Sequence, residues 1–319
     1  MSSFIKKLSY CLPLLVMFLA CGGSDDGPDA STEEELLDQL FIAGELRAVN
    51  RNTIDWEALR QLVLDTYNTE GYDEAVVVYL NGLGENQSFY SRQNGQTIFG
   101  SDIGCTSSGY TFADLDDDIG YIQMRAFVGD IQEATLFSGD RHNRARIQDG
   151  PNNKGWVVDL TTTNGGLLTP LLASLGMFYD QETLGYFIND DEEIAFGYTD
   201  GRAYIRNASE SETRVVDPYT LMNPDAKLVV VIDLVTSGAG EAVVVALKDR
   251  PNTLVLGRPT CGISSVTQSF PLSNGDAITL VTHFLGDRDK QTFTSRLQPD
   301  VQVGNTNELI SRINDFLTD

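Results

Sequence analysis

The chain has 319 residues, with 46 aspartates and glutamates against 22 lysines and arginines, a formal net charge of −24 and a pI near 4.3. That balance argues against nucleic acid as a partner, because gripping a phosphate backbone takes a clustered basic surface; the acidity reads as a solvated, solubilising exterior. Hydrophobic residues at 41% and charged residues at 21% are globular values, and the length allows one large domain or a small domain with a larger one. The two histidines, His142 and His283, leave little choice for any mechanism built on an imidazole.

At the N-terminus, Lys6 and Lys7 precede an apolar stretch from Leu12 to Ala20 that is interrupted by Pro13. It is too short to span a membrane and has the layout of a secretory signal. It ends in Phe18-Leu19-Ala20-Cys21, followed by Gly22-Gly23-Ser24 and an acidic tether through Ala30. This resembles a bacterial lipoprotein signal, with residues 1–20 removed and Cys21 lipidated, although Phe18 replaces the usual leucine. Gly22 after the cysteine resembles outer-membrane sorting. The resemblance implies a cell-envelope lipoprotein on the periplasmic face, held to the outer membrane through Cys21. Cys11 would leave with the signal, so Cys105 and Cys261 remain, either as a disulfide favoured by an oxidising compartment or as two separate buried thiols. Their spacing is wrong for zinc, and no CxxC or HExxH occurs.

After the tether, Ser31 and Glu34 have capping-box spacing, and Leu36, Leu37, Leu40, Phe41 and Leu46 form a helical stripe. A second helix reads from Ile54 to Tyr67, with Trp56, Leu59, Leu62 and Val63 on one face. Ala75 to Leu83 is open between strand and helix. Residues 31–95 are therefore expected to form a small, mainly helical unit. In the remainder, 96–319, apolar runs alternate with helical stretches: Ile119–Met124 and Gly155–Leu160 as strands, Leu168–Leu175 as a helix, Lys227–Leu234 as a strand, Ala242–Lys248 as a helix, and Leu254–Gly257 and Ile278–Phe284 as strands. Strand, glycine-rich turn, helix, strand is the grammar of an α/β core. Asp114 and Asp116–Asp118 read as a solvated lead into a strand, and Asp190–Glu193 as a hairpin tip. Ser273-Asn274-Gly275 marks a second hairpin turn. The sequons at Asn86 and Asn207 carry little weight in a bacterial lipoprotein.

Two strand-to-helix turns carry chemical signal. Gly165-Gly166 would present backbone N–H groups at a helix start, suited to a developing oxyanion, though a tight turn alone also explains the pair. Thr236-Ser237-Gly238-Ala239-Gly240-Glu241 places Ser237 before another helix, as nucleophile or N-cap.

Taken in order, these pieces resemble the tail-specific (C-terminal processing) serine peptidases, in their tricorn-like branch, from about Leu80 to Val303. Leu83-Gly84-Glu85-Asn86-Gln87-Ser88 corresponds to a family Leu-Gly-Asp-x-His-Ser segment, and Gly120-Tyr121-Ile122 to its Gly-Tyr-Ile strand. Asp159 to Gly166 corresponds to Asp-Leu-Arg-x-Asn-x-Gly-Gly, with Pro170-Leu171 following, and Thr236 to Glu241 to Thr-x-Ser-x-Gly-Glu. Gly257-Arg258-Pro259-Thr260 and Pro299-Asp300-Val301 complete the series. Too few residues separate Ser88 from Gly120 for a PDZ module. The resemblance implies an α/β, ClpP/crotonase-like tail-specific protease core with a small N-terminal helical unit, acting on peptides or unfolded polypeptide tails.

The departures fall on the catalytic positions. The nucleophile slot is Gly238, the histidine slot is Gln87, and the lysine base of the other branch would align with Ile263; Thr161 and Thr163 replace the signature arginine and asparagine. Gly165, Gly166 and Glu241 are kept. The main expectation is a lipid-anchored, peptide-binding pseudoenzyme. The alternative is an active peptidase using Ser237 as nucleophile with His283 as base, His142 being expected at the surface. A third possibility is a scaffold without a ligand. No nucleotide loop, metal constellation or cofactor motif is present in the sequence, so none is expected.

Overall fold

The computed structural model describes residues 32–101, 104–106, 109–113, 115–206 and 212–318. The signal, Cys21, the tether, Ser31, Asp114 and the Asn207 sequon lie outside the described residues. Three helices come first, α1 (Glu33–Arg47), α2 (Trp56–Glu70) and α3 (Tyr72–Gly82), then a hairpin of β1 (Phe89–Ser91) and β2 (Thr97–Phe99). They are followed by β3 (Ile119–Arg125), α4 (Ile131–Gln148), β4 (Gly155–Thr162), α5 (Leu168–Ser174), β5 (Thr183–Ile188), β6 (Glu193–Thr199), β7 (Arg202–Ile205) and β8 (Glu212–Arg214). The chain continues with β9 (Leu228–Ile232), α6 (Ala239–Lys248), β10 (Thr253–Gly257), β11 (Ser265–Pro271), β12 (Ala277–Gly286), β13 (Thr292–Phe293), β14 (Val301–Gln302) and α7 (Thr306–Thr318).

Among the described residues these strands make two sheets. One is wholly parallel, in the order β14-β10-β9-β4-β3; the other is antiparallel, in the order β2-β1-β12-β5-β6-β7-β8, with β11 and β13 also on β12. Period-2 alternation sends successive residues of β4 and β9 to opposite faces. Trp156, Val158, Leu160, Val230 and Ile232 pack with Leu171 and Leu172 of α5 and Val243 and Leu247 of α6. Val157, Val229 and Val231 instead pack with Leu309, Ile313 and Leu317 of α7. Both faces are covered, which is why these strands read as unbroken apolar runs.

The N-terminal helices bury Leu37, Leu40, Phe41, Val76, Tyr79 and Leu80 against Tyr90, Ile98, Leu272, Ile278 and Leu280. The last three belong to β12 and the turn before it, and β1 pairs with β12 in the register Phe89↔Thr279. The division expected at residue 95 therefore falls in the turn of the β1–β2 hairpin, whose strands extend the antiparallel sheet. The ambiguous Ala75–Leu83 run lies almost wholly in α3, because Val76, Tyr79, Leu80 and Leu83 recur at helical spacing towards this core.

Several local expectations shift. The capping box is one residue later than Ser31 and Glu34: the Glu35 N–H donates to Thr32 Oγ1 at 3.2 Å, and the Thr32 N–H donates to Glu35 Oε2 at 2.9 Å. Both pairs have the same spacing, so sequence does not separate them. Leu46 and Leu62 are exposed at the edges of their stripes. His142 is not a surface residue: it is fully buried, because α4 lays it against α5 and the loop before β9. Its Nδ1 accepts from the Tyr219 N–H at 2.9 Å, which leaves Nε2 to donate to the Ala173 carbonyl at 2.9 Å. Burial, the largest influence, holds its pKa below the ordinary histidine value and keeps the ring neutral.

Asp190 and Asp191 occupy the β5–β6 turn and bind Asn52 and Arg51, and Asp116 and Asp118 pair with Lys154. Cys105 and Cys261 are joined in a disulfide, with Cα atoms 5.3 Å apart and a sequence separation of 156. Closing so long a loop stabilises by at most about 5 kcal/mol in the chain-entropy account. Reduction, or Cys105→Ser with Cys261→Ser, should lower the denaturant midpoint with the far-UV spectrum retained; an unchanged midpoint would show that the link adds nothing to stability.

Candidate functional site

β4 and β9 are parallel neighbours, with Asp159 opposite Val231, so their C-terminal ends emerge side by side. The backbone keeps the pairing beyond both strands: the Ser237 N–H donates to Thr163 O at 3.0 Å and the Gly165 N–H to Ser237 O at 2.9 Å. The loop after β10 joins on the far side, where the Cys261 N–H donates to Thr236 O at 2.9 Å and the Gly238 N–H to Ile263 O at 2.9 Å. Residues 163–165, 236–238 and 261–263 thus form one surface at the carboxyl end of the parallel sheet, where open α/β folds place their sites.

Two glycines are demanded by this geometry. Gly166 has φ 91°, and a Cβ there would stand 2.6 Å from the backbone N and O of Phe127. Gly238, the N-cap of α6, has φ 55° and ψ −117°, a conformation that costs a side-chain-bearing residue about 1–3 kcal/mol. It is a sharp strand-to-helix elbow of the sort that exposes a nucleophile. A Cβ at Gly238 would lie 3.3 Å from Gly165 Cα and 4.0 Å from Ile263 O, so a small side chain, which the sequence does not supply, would fit only with a shift of a few tenths of an ångström in the diglycine turn.

Glu241 ties these turns together from the first turn of α6. It is fully buried; Oε2 accepts from the Gly238 N–H at 3.2 Å, while Oε1 accepts from the Gly262 N–H at 3.0 Å and from the Thr260 hydroxyl. Burial pushes its pKa up to about 7, against the downward pull of the hydrogen bonds from Thr260, Gly262, Gly238 and Ile263. Glu241, rather than Ser237, supplies the side-chain cap of α6. Gly165, Gly238 and Gly240 spend their N–H groups within the turns, whereas those of Gly166 and Ala239 have no acceptor among the described residues.

The N-terminal unit brings Gln87 to the same place. Gln87 is buried, its Nε2 donates to Gly262 O at 3.1 Å, and its Oε1 accepts from the Ser265 hydroxyl. Gln87 and Gly238 therefore bear on successive carbonyls of one loop, those of Gly262 and Ile263. A cavity of about 360 Å³, walled by Gln87, Phe89, Phe99, Ile263 and Thr267, opens beside them. Ser237 is nearly buried one residue before the elbow. His283, on β12, is not brought to it: Nδ1 contacts Thr282 Oγ1 at 3.0 Å, and Nε2 contacts Asn189 Nδ2 at 3.0 Å and Glu192 Oε1 at 3.3 Å.

Thr161 and Thr163 serve the fold. The Thr161 N–H and hydroxyl donate to Asp159 Oδ1 at 2.9 and 2.7 Å, and the Thr163 hydroxyl donates to Met124 O at 3.1 Å. Tyr121 holds the other Asp159 oxygen at 2.6 Å. Thr260, Gly262 and Ser265 were missed as site residues from sequence. The Gly257–Thr260 segment was visible, but nothing in it announced a partner for Glu241.

A diglycine turn and a strained elbow, side by side at the ends of adjacent parallel strands, are the architecture of an α/β serine peptidase. The chain belongs to peptidase family S41, whose family model matches residues 118–303, and within it to the tail-specific proteases. The nisin-resistance protein of Lactococcus lactis subsp. lactis is 26% identical over 160 residues, 48% of each chain. The carboxyl-terminal-processing protease of Picosynechococcus sp. is 26% identical over 159 residues, 50% of this chain and 32% of that one. The chain thus matches about half or less of these relatives' lengths. The structure of a lipoprotein from Streptococcus agalactiae superposes with a TM-score of 0.61 at 17% identity, over 95% of this chain and 99% of that one, which shows a shared fold. The expected α/β tail-specific protease core is the fold found.

The Glu241 pKa fixes a pH dependence. Since the folded value of about 7 exceeds the ordinary 4.5, the native state holds more protons than the unfolded state between these limits. Stability from the protonated group is fully present below pH 4.5 and is lost as pH rises to about 7. Thermal midpoints measured across that window should fall for the parent and flatten in Glu241→Gln; parallel curves for the two proteins would refute the assignment.

Proposed function

We propose that this protein is a lipid-anchored, peptide-binding member of its peptidase family that does not turn substrate over. The observation that carries the reading is Gly238: the elbow is kept, but no atom stands on it to attack a carbonyl. Gln87 compounds the loss, because an amide held between Gly262 and Ser265 accepts no proton near neutral pH. Loss of such groups lowers triad catalysis by about 10⁴–10⁶. The Ser237 alternative lacks a base, since the ring partners of His283 are Thr282, Asn189 and Glu192.

Binding is supported by the apolar cavity beside Gln87 and by β11, which pairs with β12 alone among the described strands and presents exposed residues from Thr267 to Ser269. An extended polypeptide tail can add to such an edge through backbone hydrogen bonds, with a side chain in the cavity. One relative is named for carboxyl-terminal processing, which agrees with a polypeptide ligand. The lipoprotein-like signal, together with the lipoprotein of the same fold, supports attachment through Cys21 on the periplasmic face of the outer membrane.

Treatment of the detergent-solubilised full chain with a fluorophosphonate probe should leave the parent unlabelled and label a variant carrying Gly238→Ser and Gln87→His. Labelling of the parent that disappears in Ser237→Ala would overturn the reading and make Ser237 the nucleophile. In bacteria fed radiolabelled palmitate, the parent should take up label and Cys21→Ala should not; equal labelling of both would remove the anchor at Cys21.

A further inference from the structure

We infer that a second, polar cavity beside the elbow is a carboxylate-binding site, and that Arg296 reads the carboxylate of a bound peptide. The inference rests on the peptide-binding reading and adds a ligand chemistry to it. The cavity has a volume of about 470 Å³ and is walled by Asn86, Gly262, Thr294, Ser295, Arg296 and Gln298, with Cys261 and Gly104 beneath. It shares Asn86 with the apolar cavity, and the two adjoin at Gly262 and Ile263, whose carbonyls accept from Gln87 and Gly238 respectively.

Three features define the ligand. Among the described residues Arg296 is the sole charged residue lining the cavity; the others are amides, hydroxyls and backbone, and no described carboxylate lines it. In a chain of net charge −24, where most described cations pair with an acid, Arg296 makes no ion pair among the described residues. Its guanidinium makes one long hydrogen bond, from Nη2 to Gly104 O at 3.4 Å, and so has unspent donors.

The arginine is also positioned. A Cβ on Gly262 would stand 3.0 Å from Arg296 Cγ and 3.1 Å from its backbone N, so the arginine stem lies directly against a glycine at φ 88°. The Cys105–Cys261 disulfide fixes the wall next to it. A planar fork with unspent N–H donors, in a cavity whose described lining is polar and carries no acid, is matched by a carboxylate, which it can bind through two parallel hydrogen bonds. A peptide with an apolar side chain beside Phe89 and Phe99 could place either its terminal carboxylate or an acidic side chain on Arg296.

The test uses the detergent-solubilised full chain and three random hexapeptide pools, each fluorescein-labelled at the amino end and read by fluorescence polarisation. One pool has a free C-terminal carboxylate, one a C-terminal carboxamide with Asp and Glu omitted, and one a carboxamide with a fixed terminal Glu. The free-acid or Glu pool should bind about tenfold more tightly than the neutral pool, and whichever does so identifies the source of the carboxylate. Arg296→Gln should remove that tenfold margin and leave the neutral pool unchanged, with Arg296→Lys recovering part of it. Equal binding of all three pools, or a margin indifferent to Arg296→Gln, would overturn the carboxylate site while leaving peptide binding intact. Binding of none would overturn both.

Discussion

The buried carboxylate of Glu241 is the interaction on which the rest of the site depends. Its two oxygens draw donors from two turns that are distant in sequence, the elbow at Gly238 and the loop at Thr260–Ile263. A carboxyl group at the start of α6 also faces the positive end of that helix. Once the loop is fastened, its carbonyls become fixed acceptors: Ile263 O for the elbow and Gly262 O for Gln87. The same loop carries Cys261 and the glycine against which Arg296 rests. One side chain with no exposed surface therefore sets the geometry of everything that a ligand would touch.

How much of this was legible in the sequence follows from the range of the forces involved. The parallel strands were readable because burial on both faces leaves runs such as Gly155–Leu160 without polar interruption, and the elbow was readable because its glycines and Glu241 lie within a few residues. Gly238 and Gln87 could be picked out from the order of short motifs alone, and the structure brings both to the Gly262–Ile263 loop. What sequence did not disclose were interactions across long separations. Thr260 and Ser265 gain meaning only through partners on α6 and before β1. His142 looks polar in the company of Asp140, Arg141 and Arg144, yet its helical spacing from Ser138 and Ala145 puts it on the buried face of α4. The Ser31 and Thr32 caps are equal by spacing, and only the packing of Leu36, Leu37 and Leu40 selects the second.

The N-terminal helices have a positional task beyond their own core. They share Leu272, Ile278 and Leu280 with the antiparallel sheet, and Ser88 Oγ accepts from the Val281 N–H at 2.9 Å. Gln87 precedes that anchor by one residue, so its placement over Gly262 is set by strand pairing and not by a free loop. The N-terminal unit is thereby fastened both to β12, through Ser88, and to the Gly262 carbonyl, through Gln87.

The conformation of Gly238 bears on how such a chain changes over generations. A side chain at that elbow loads the backbone with strain that only a useful reaction would justify keeping, whereas glycine occupies φ 55° without steric cost. Exchange of a nucleophile for glycine relaxes the fold while leaving the turn, its hydrogen bonds to Ile263 and Glu241, and the neighbouring cavities in place. The reverse step, a side chain in place of Gly238, would have to reload that strain before any return from it. The elbow therefore works as a ratchet: once glycine stands there, stability favours staying without the side chain.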